Sequence, residues 1–292
     1  DKILHKGKKN TDTISFKMEF GKGQNGYSAT LQSGANGFIF LRENLIYQGN
    51  SKDISRSGEE ARIKTTDNYR AKYVIKYLNG FRKYHFHDTS LNSPFTKYSN
   101  IENDVYYFYD DGMNLAAFMY HIQENNKIVY NRIIKNIQSI APYFSDFYFA
   151  PNKENNVRLQ WTDRYSDVVF GANDLSDGTL RFIALSVLFL QPDLPDTIII
   201  DEPELGLHPS AIAKLAGMIK SVSDRGCQVA TQSTDLISHF LPEDIITVDQ
   251  VDGETIFNRL SSNNLNQWLE DYTIDDLWKR NIITGGQPNY SR

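Results

Sequence analysis

Four β-favouring residues, Thr197-Ile198-Ile199-Ile200, run without a break into two adjacent carboxylates, Asp201-Glu202, and a proline follows at once. A continuous apolar run of this length predicts a strand buried on both faces, the kind found in parallel sheets covered by helices. Parallel neighbours need long crossover connections, usually helical, so this one strand already argues for an α/β arrangement. An unpartnered carboxylate is costly to bury, and in open α/β sheets ligands gather beyond the carboxyl ends of the strands. Two acids at that point suit a pair in which one holds a divalent cation and the other takes a proton from water. A strand that ends in a solvated acidic turn would look the same, and these six residues alone do not separate the two readings.

The surrounding pattern agrees with a crossover sheet. An apolar helix is predicted over 177–190, the strand over 197–200, a helix from about 209 to 223 and a further strand over 227–231. This alternation implies a mainly parallel sheet with crossover helices. Upstream, residues 14–20, 27–31 and 37–41 alternate as strands between Gly- and Asn-rich turns and read as an antiparallel meander. Residues 49–66 are polar and read as a mobile loop, and 67–81 as a helix. Apolar residues at helical spacing predict helices over 114–122 and from Ile128 to Ile140, ended by Pro142. Short strands are expected near 147–149, 157–161 and 168–170, a hairpin with an Asp252-Gly253 turn near 245–260, and two short closing helices. The organisation expected is a meander and connector over 1–100, a helical subdomain over 101–145 and a final lobe over 146–292.

Composition sets limits. The 292 residues are 40% hydrophobic and 23% charged, ordinary for a globular protein. A net charge of −5 supplies no bulk attraction to nucleic acid or anionic membrane, which leaves a local basic patch and DNA as a partner open. No apolar run is long enough to span a bilayer, so no membrane association is expected. The single cysteine, Cys227, has no internal partner, which fits a reducing, cytoplasmic setting, and its position at a strand start reads as a small buried hydrophobe.

Two motifs need weighing. Gly21-Lys22-Gly23-Gln24-Asn25-Gly26 matches the dinucleotide fingerprint in letters, but that fingerprint must open a helix, and here Tyr27 to Leu31 alternates as a strand. A hairpin turn is the better reading. His85 and His87 have a metal-ligand spacing without Cys or Glu partners at recognisable distance, and structural histidines are expected.

The acidic strand gains weight from its neighbours. Leu175-Ser176-Asp177-Gly178-Thr179 opens the apolar helix 26 residues before Asp201. Ser176 is a good N-cap, and a helix start with a glycine nearby offers backbone N–H groups to an anion. The next strand ends at Ala230-Thr231-Gln232-Ser233, which puts Gln232 at the same sheet edge. Taken together, L-S-D-G-T, I-I-I-D-E-P-E-L-G-L-H-P and V-A-T-Q-S-T-D-L-I resemble the C-terminal lobe of ABC-type ATPase heads. The nearest resemblance is to AAA_21-type ATPases, relatives of the recombination, chromosome-maintenance and overcoming-lysogenization ATPases. Y-H-F-H-D-T-S, D-G-M-N-L-A-A-F and the ending W-L-E-D-Y, D-D-L-W-K-R-N and G-G-Q-P extend it over most of 84–288.

The resemblance implies an ATP- and Mg²⁺-dependent ATPase that closes as a homodimer around its nucleotide. Asp201 would bind Mg²⁺, and Glu202 would be the general base. Leu175, Ser176, Asp177 and Gly178 would form the signature loop that meets ATP held by the opposite subunit. The loop from Glu204 through Gly206 to His208 would couple the two sites, and Gln232 would sense the γ-phosphate. Gln232 stands where transporter ATPases carry histidine. A carboxamide hydrogen-bonds but does not carry a proton at neutral pH, so it would orient water. Asp177 stands where many signature loops carry glycine, and its charge should turn away from phosphate. No G-x-x-x-x-G-K-[ST] phosphate loop occurs in the 292 residues. In the family that loop precedes the meander, so the resemblance implies a segment upstream of Asp1, without which the 292 residues are expected to bind ATP very weakly and to be inactive alone. Micromolar affinity in a calorimetric titration would contradict this.

Coupling to a DNA-related or defence process is the leading expectation. The helical block at 103–140 is too short for a chromosome-bridging arm, which favours as the alternative a nucleotide-sensing scaffold that gates a partner effector with little turnover. An additional nuclease activity is not expected, because the chain past Glu202 shows no further acidic α/β module.

Overall fold

The computed structural model describes residues 11–35, 37–223, 226–251, 253–283 and 285. In chain order the first elements are β1 (Thr13–Phe20), β2 (Asn25–Ser33), β3 (Phe38–Tyr47), β4 (Asn50–Asp53), α1 (Tyr69–Asn79), β5 (Phe81–Tyr84) and β6 (Ser99–Asn100). Then come α2 (Leu115–Asn125), α3 (Lys127–Gln138), β7 (Phe144–Phe147), β8 (Asn156–Val157), β9 (Gln160–Asp163), β10 (Val169–Gly171) and α4 (Asp177–Leu190). The last are β11 (Thr197–Asp201), α5 (Pro209–Ser221), β12 (Cys227–Ala230), α6 (Thr234–Ile237), β13 (Ile246–Val251), β14 (Glu254–Arg259), α7 (Ser262–Leu269) and α8 (Ile274–Lys279). The chain is mixed α/β, with antiparallel and parallel pairing, and it divides into two compact units.

One unit holds the described residues up to Phe81, with Thr247–Asn258 and Gly285. Its sheet is an antiparallel meander in the order β1-β2-β3-β4. The glycine-rich stretch is the expected β1–β2 turn: Phe20 faces Asn25, and Gly21, Lys22 and Gly23 all take left-handed backbone (φ 59°, 57° and 81°). Such a run suits glycine and closes the hairpin rather than opening a helix. Residues 50–53 are a strand, not part of a mobile loop. Their side chains are all exposed, and β4 is held by antiparallel pairing of Asn44–Tyr47 with Asn50–Asp53. Backbone pairing of a wholly polar segment leaves no periodicity to read. Tyr27, Ala29, Leu45, Ile63, Ala71 and Val74 form the buried cluster between meander and α1.

A fully buried carboxylate sits in that cluster. Glu43 accepts from the Tyr27 hydroxyl (2.6 Å) and from the backbone N–H groups of Arg62 (2.7 Å) and Ile63 (3.2 Å). Burial, together with the hydrogen bond to Glu43, pushes the Tyr27 phenol far above its ordinary range. Three donors offset the cost of burying the carboxyl oxygens. They pin the polar stretch before α1 to the sheet.

The other unit comprises Arg82–Ile246 and Arg259–Ile283. Its centre is α4, buried at every position from Thr179 to Phe189, as expected of a helix that is apolar all round. Asn136 of α3 donates to Ser186 of α4 (2.9 Å), and Arg132 donates to the Leu190 carbonyl (2.6 Å). The stretch 157–161, expected as one strand, is split. β8 pairs with β6, whereas β9 pairs with β7 and β10, so the chain changes sheets at Arg158 and Leu159. A third sheet has the order β12-β11-β5, with β11 and β12 parallel and α5 as their crossover. Cys227 starts β12, half-buried against the core, and burial pushes its thiol up to about 11. It is a packing residue with little thiolate at neutral pH. The closing hairpin forms as β13–β14, most of which belongs to the first unit. Asp252 of its turn and residues 286–288 of the G-G-Q-P ending lie outside the described residues. Among the described residues no helix is long and apolar enough to cross a membrane.

Candidate active site

β11 delivers Asp201 to the carboxyl end of the parallel pair, in register with Ala230 of β12. The backbone then leaves the sheet sharply. The Glu202 N–H donates to the Ala230 carbonyl (2.8 Å), its carbonyl accepts from Leu205 (3.2 Å), and between these bonds Glu202 takes φ +39°. A non-glycine residue there costs about 1–3 kcal/mol, and such strain gathers at functional sites. Asp201 is exposed and Glu202 half-buried. Among the described residues neither carboxylate has a side-chain hydrogen bond or ion pair. His87 Nε2 donates to the Asp201 carbonyl (2.9 Å), which fixes its tautomer, since a carbonyl oxygen only accepts. The His85 ring stands edge-on to it at 4.2 Å. No group of three or more His, Cys, Asp or Glu gathers as a metal cage among the described residues. Magnesium does not need one, because it keeps several waters and takes one or two carboxylates with phosphate oxygens. An exposed, unpaired Asp201 fits that requirement.

Two residues past the acids, Glu204 turns inward and is buried. Its Oε1 accepts from the Thr231 hydroxyl, and among the described residues Oε2 has no hydrogen-bond partner. Burial pushes this carboxyl up; the Thr231 bond opposes the shift, and the charges of Glu202 and Asp201 add to it. Thr231 Oγ1 in turn accepts from the Ser233 N–H (2.9 Å), and Ser233 caps α6 through the Leu236 N–H (3.1 Å). Gln232 lies between these two anchored residues. It is exposed, and among the described residues its carboxamide makes no hydrogen bond.

The start of α4 lies against the same loop. Ser176 caps the helix by accepting from the Thr179 N–H (3.2 Å) and touches the Thr179 hydroxyl at 2.9 Å. Asp177 is exposed in the first turn, and Leu175 is buried in the core. A Cβ on Gly178 would stand 2.4 Å from the Gly206 carbonyl oxygen, so one face of this glycine is occupied by the loop that follows β11. Gly206 has φ +77°, and His208 caps α5 by accepting from the Ser210 N–H at Nδ1 (3.3 Å), with Pro209 in the first turn. The amides of Asp177 and Gly178 lie in the first helical turn, where intrahelical partners are missing. The structure therefore brings Asp201, Glu202 and the Thr231–Gln232 turn to one sheet edge, and packs the Ser176–Gly178 helix start against Gly206.

Sequence reasoning missed Arg181. It is buried, donates through Nε to the Phe86 carbonyl (3.0 Å), through Nη2 to the His87 carbonyl (3.1 Å) and through Nη1 to the Leu205 carbonyl. Burial pulls its pKa down, opposed by Asp177 one turn away. A lone arginine in an otherwise apolar helix was the available signal. Its partners are backbone carbonyls, which no residue pattern announces.

A family profile described as "AAA domain, putative AbiEii toxin, Type IV TA system" matches residues 30–237, well over half of the chain. The chain belongs to the AAA_21 family. No curated protein matches this AAA_21 chain. Among solved structures it is similar to an SMC head bound to the C-terminal winged-helix domain of ScpA (13% identity, 84% of this chain and 76% of that one, TM-score 0.47). It is also similar to the SMC head domain from Thermotoga maritima (10%, 82% and 75%, TM-score 0.38) and to a nucleotide-free ATP-binding cassette of an ABC transporter (13%, 80% and 75%, TM-score 0.36).

Proposed function

We propose that this chain carries the hydrolytic edge and the signature loop of a Mg²⁺-dependent ATPase head that dimerises around ATP. The observation that carries the reading is the sheet edge itself: among the described residues Asp201 and Glu202 leave β11 unpaired by any side chain, next to the Gln232 turn of β12. Membership of an AAA family supports nucleotide as the ligand. In this reading Asp201 holds Mg²⁺, which would neutralise charge on the phosphate oxygens. Glu202 accepts the proton of the attacking water, and Gln232 orients that water without exchanging a proton. Ser176 and the first-turn amides of α4, with Asp177 and Gly178, face ATP bound by a second copy, and the loop through Gly206 and His208 links the two sites. A DNA-related or defence process and a partner effector are the proposed outlets of the cycle, in the cytoplasm.

The test is hydrolysis by the intact protein. Phosphate release from ATP should be present with Mg²⁺ and fall to background when a chelator removes it. An intact protein that binds ATP but releases no phosphate under any metal condition would reject the hydrolytic reading.

A further inference from the structure

Glu204 is a buried acid that the proposed chemistry does not use. It sits on the loop that carries Asp201 and Glu202, and its side chain reaches the strand end that carries Gln232. Thr231 Oγ1 accepts from the Ser233 N–H, and its own proton goes to Glu204 Oε1. Thr231 and Ser233 flank Gln232, and Ser233 is itself tied into α6. The turn bearing Gln232 is thus tied on its β12 side to the acidic loop by this side-chain link, beside the backbone bond from Glu202 to Ala230. Glu204 uses one oxygen for this link, and among the described residues its other, buried oxygen has no partner. A buried unsatisfied oxygen is unfavourable, so stability alone does not explain a carboxyl at this position.

We propose that Glu204 is a positioning residue: through the Thr231 hydroxyl it sets the place of the Gln232 carboxamide relative to Asp201 and Glu202. This rests on the ATPase reading above. Movement of the acidic loop then carries Gln232 with it. When Glu204 lets go, Gln232 loses its registration with the base while the nucleotide contacts stay intact.

The test is steady-state hydrolysis by the intact protein, comparing Thr231→Val with Thr231→Ser. Thr231 is only half-buried, and valine keeps its shape, so both variants should fold, which thermal unfolding checks. Thr231→Val should lose on the order of 10- to 100-fold in kcat with KM unchanged, the size expected when a catalytic group is slightly misplaced. Thr231→Ser restores the hydroxyl and should return most of that loss. Glu204→Ala should lower kcat similarly, and the double variant Glu204→Ala/Thr231→Val should be no worse than either alone, because both break one link. Wild-type turnover in Thr231→Val, or multiplied losses in the double variant, would overturn the positioning role and leave the ATPase reading standing. A wild-type protein with no turnover would overturn both.

Discussion

Glu202→Gln in the intact protein is expected to reduce ATP turnover by about 10²- to 10⁴-fold, the range for removing a general base. The substitution is isosteric, so it keeps the volume of the half-buried side chain and leaves the backbone bonds to Ala230 and Leu205 in place. It removes only the ability to take a proton. Because Asp201 is untouched, nucleotide binding should persist, and a dimer that forms around ATP should accumulate instead of turning over. Phosphate release measured beside size-exclusion chromatography with Mg-ATP separates the two effects. Unchanged turnover would remove Glu202 as the base. Lost turnover together with lost ATP binding would point to a structural defect at the strained φ of this residue.

Gly178→Ala is expected to destabilise the protein, against the usual trend for glycine in a helix. Alanine favours a helix over glycine by about 1 kcal/mol. Here the added methyl would stand 2.4 Å from the Gly206 carbonyl oxygen, a backbone atom that cannot swing aside as a long side chain would. Gly206 in turn is hemmed by Arg181, whose Nη1 would lie 3.0 Å from a Cβ placed there. Relief requires moving the loop or the start of α4, and overpacking of this kind costs about 1–3 kcal/mol. The penalty should outweigh the helix-propensity gain and lower the melting temperature by a few degrees, read by thermal unfolding. A raised melting temperature would show that helix and loop do not meet as closely as described. Turnover should fall as well, since the displaced loop is the one that leads from Asp201 and Glu202.

Much of this was legible in the residues, for identifiable reasons. β11 and α4 are announced by an unbroken apolar run and by the Ser176 cap; α4 forms over the expected 177–190, and β11 runs one residue past the expected 197–200, to Asp201. The hairpin at Gly21–Gln24 was readable because the residues after it alternate. What escaped notice has a common cause. β4 is a polar edge held by backbone pairing alone, and β8 and β9 divide one apolar stretch between two sheets. Arg181 acts through a carbonyl cluster, and the Thr231 hydroxyl is the unforeseen partner of Glu204, a residue expected only as part of the coupling loop. Interactions whose other half is backbone, or a small hydroxyl far along the chain, leave no spacing signature. The acidic pair and Gln232 were visible because strand order forces chemically distinctive groups to one edge. The residues that hold them in place were not.

The order of the third sheet also shapes how the chain comes off the ribosome. β5 hydrogen-bonds to β11, and the His87 side chain waits for the carbonyl of Asp201, 114 residues later. At ~5–20 residues per second, that interval lasts roughly 6–23 s. Throughout it, the nascent β5 segment, Phe81-Arg82-Lys83-Tyr84, has no partner strand. Arg82 and Lys83 place two positive charges on it, the usual protection of an unpaired strand against the wrong neighbour. The sheet edge that carries Asp201 and Glu202 is therefore completed only when the β11 strand emerges and pairs with β5.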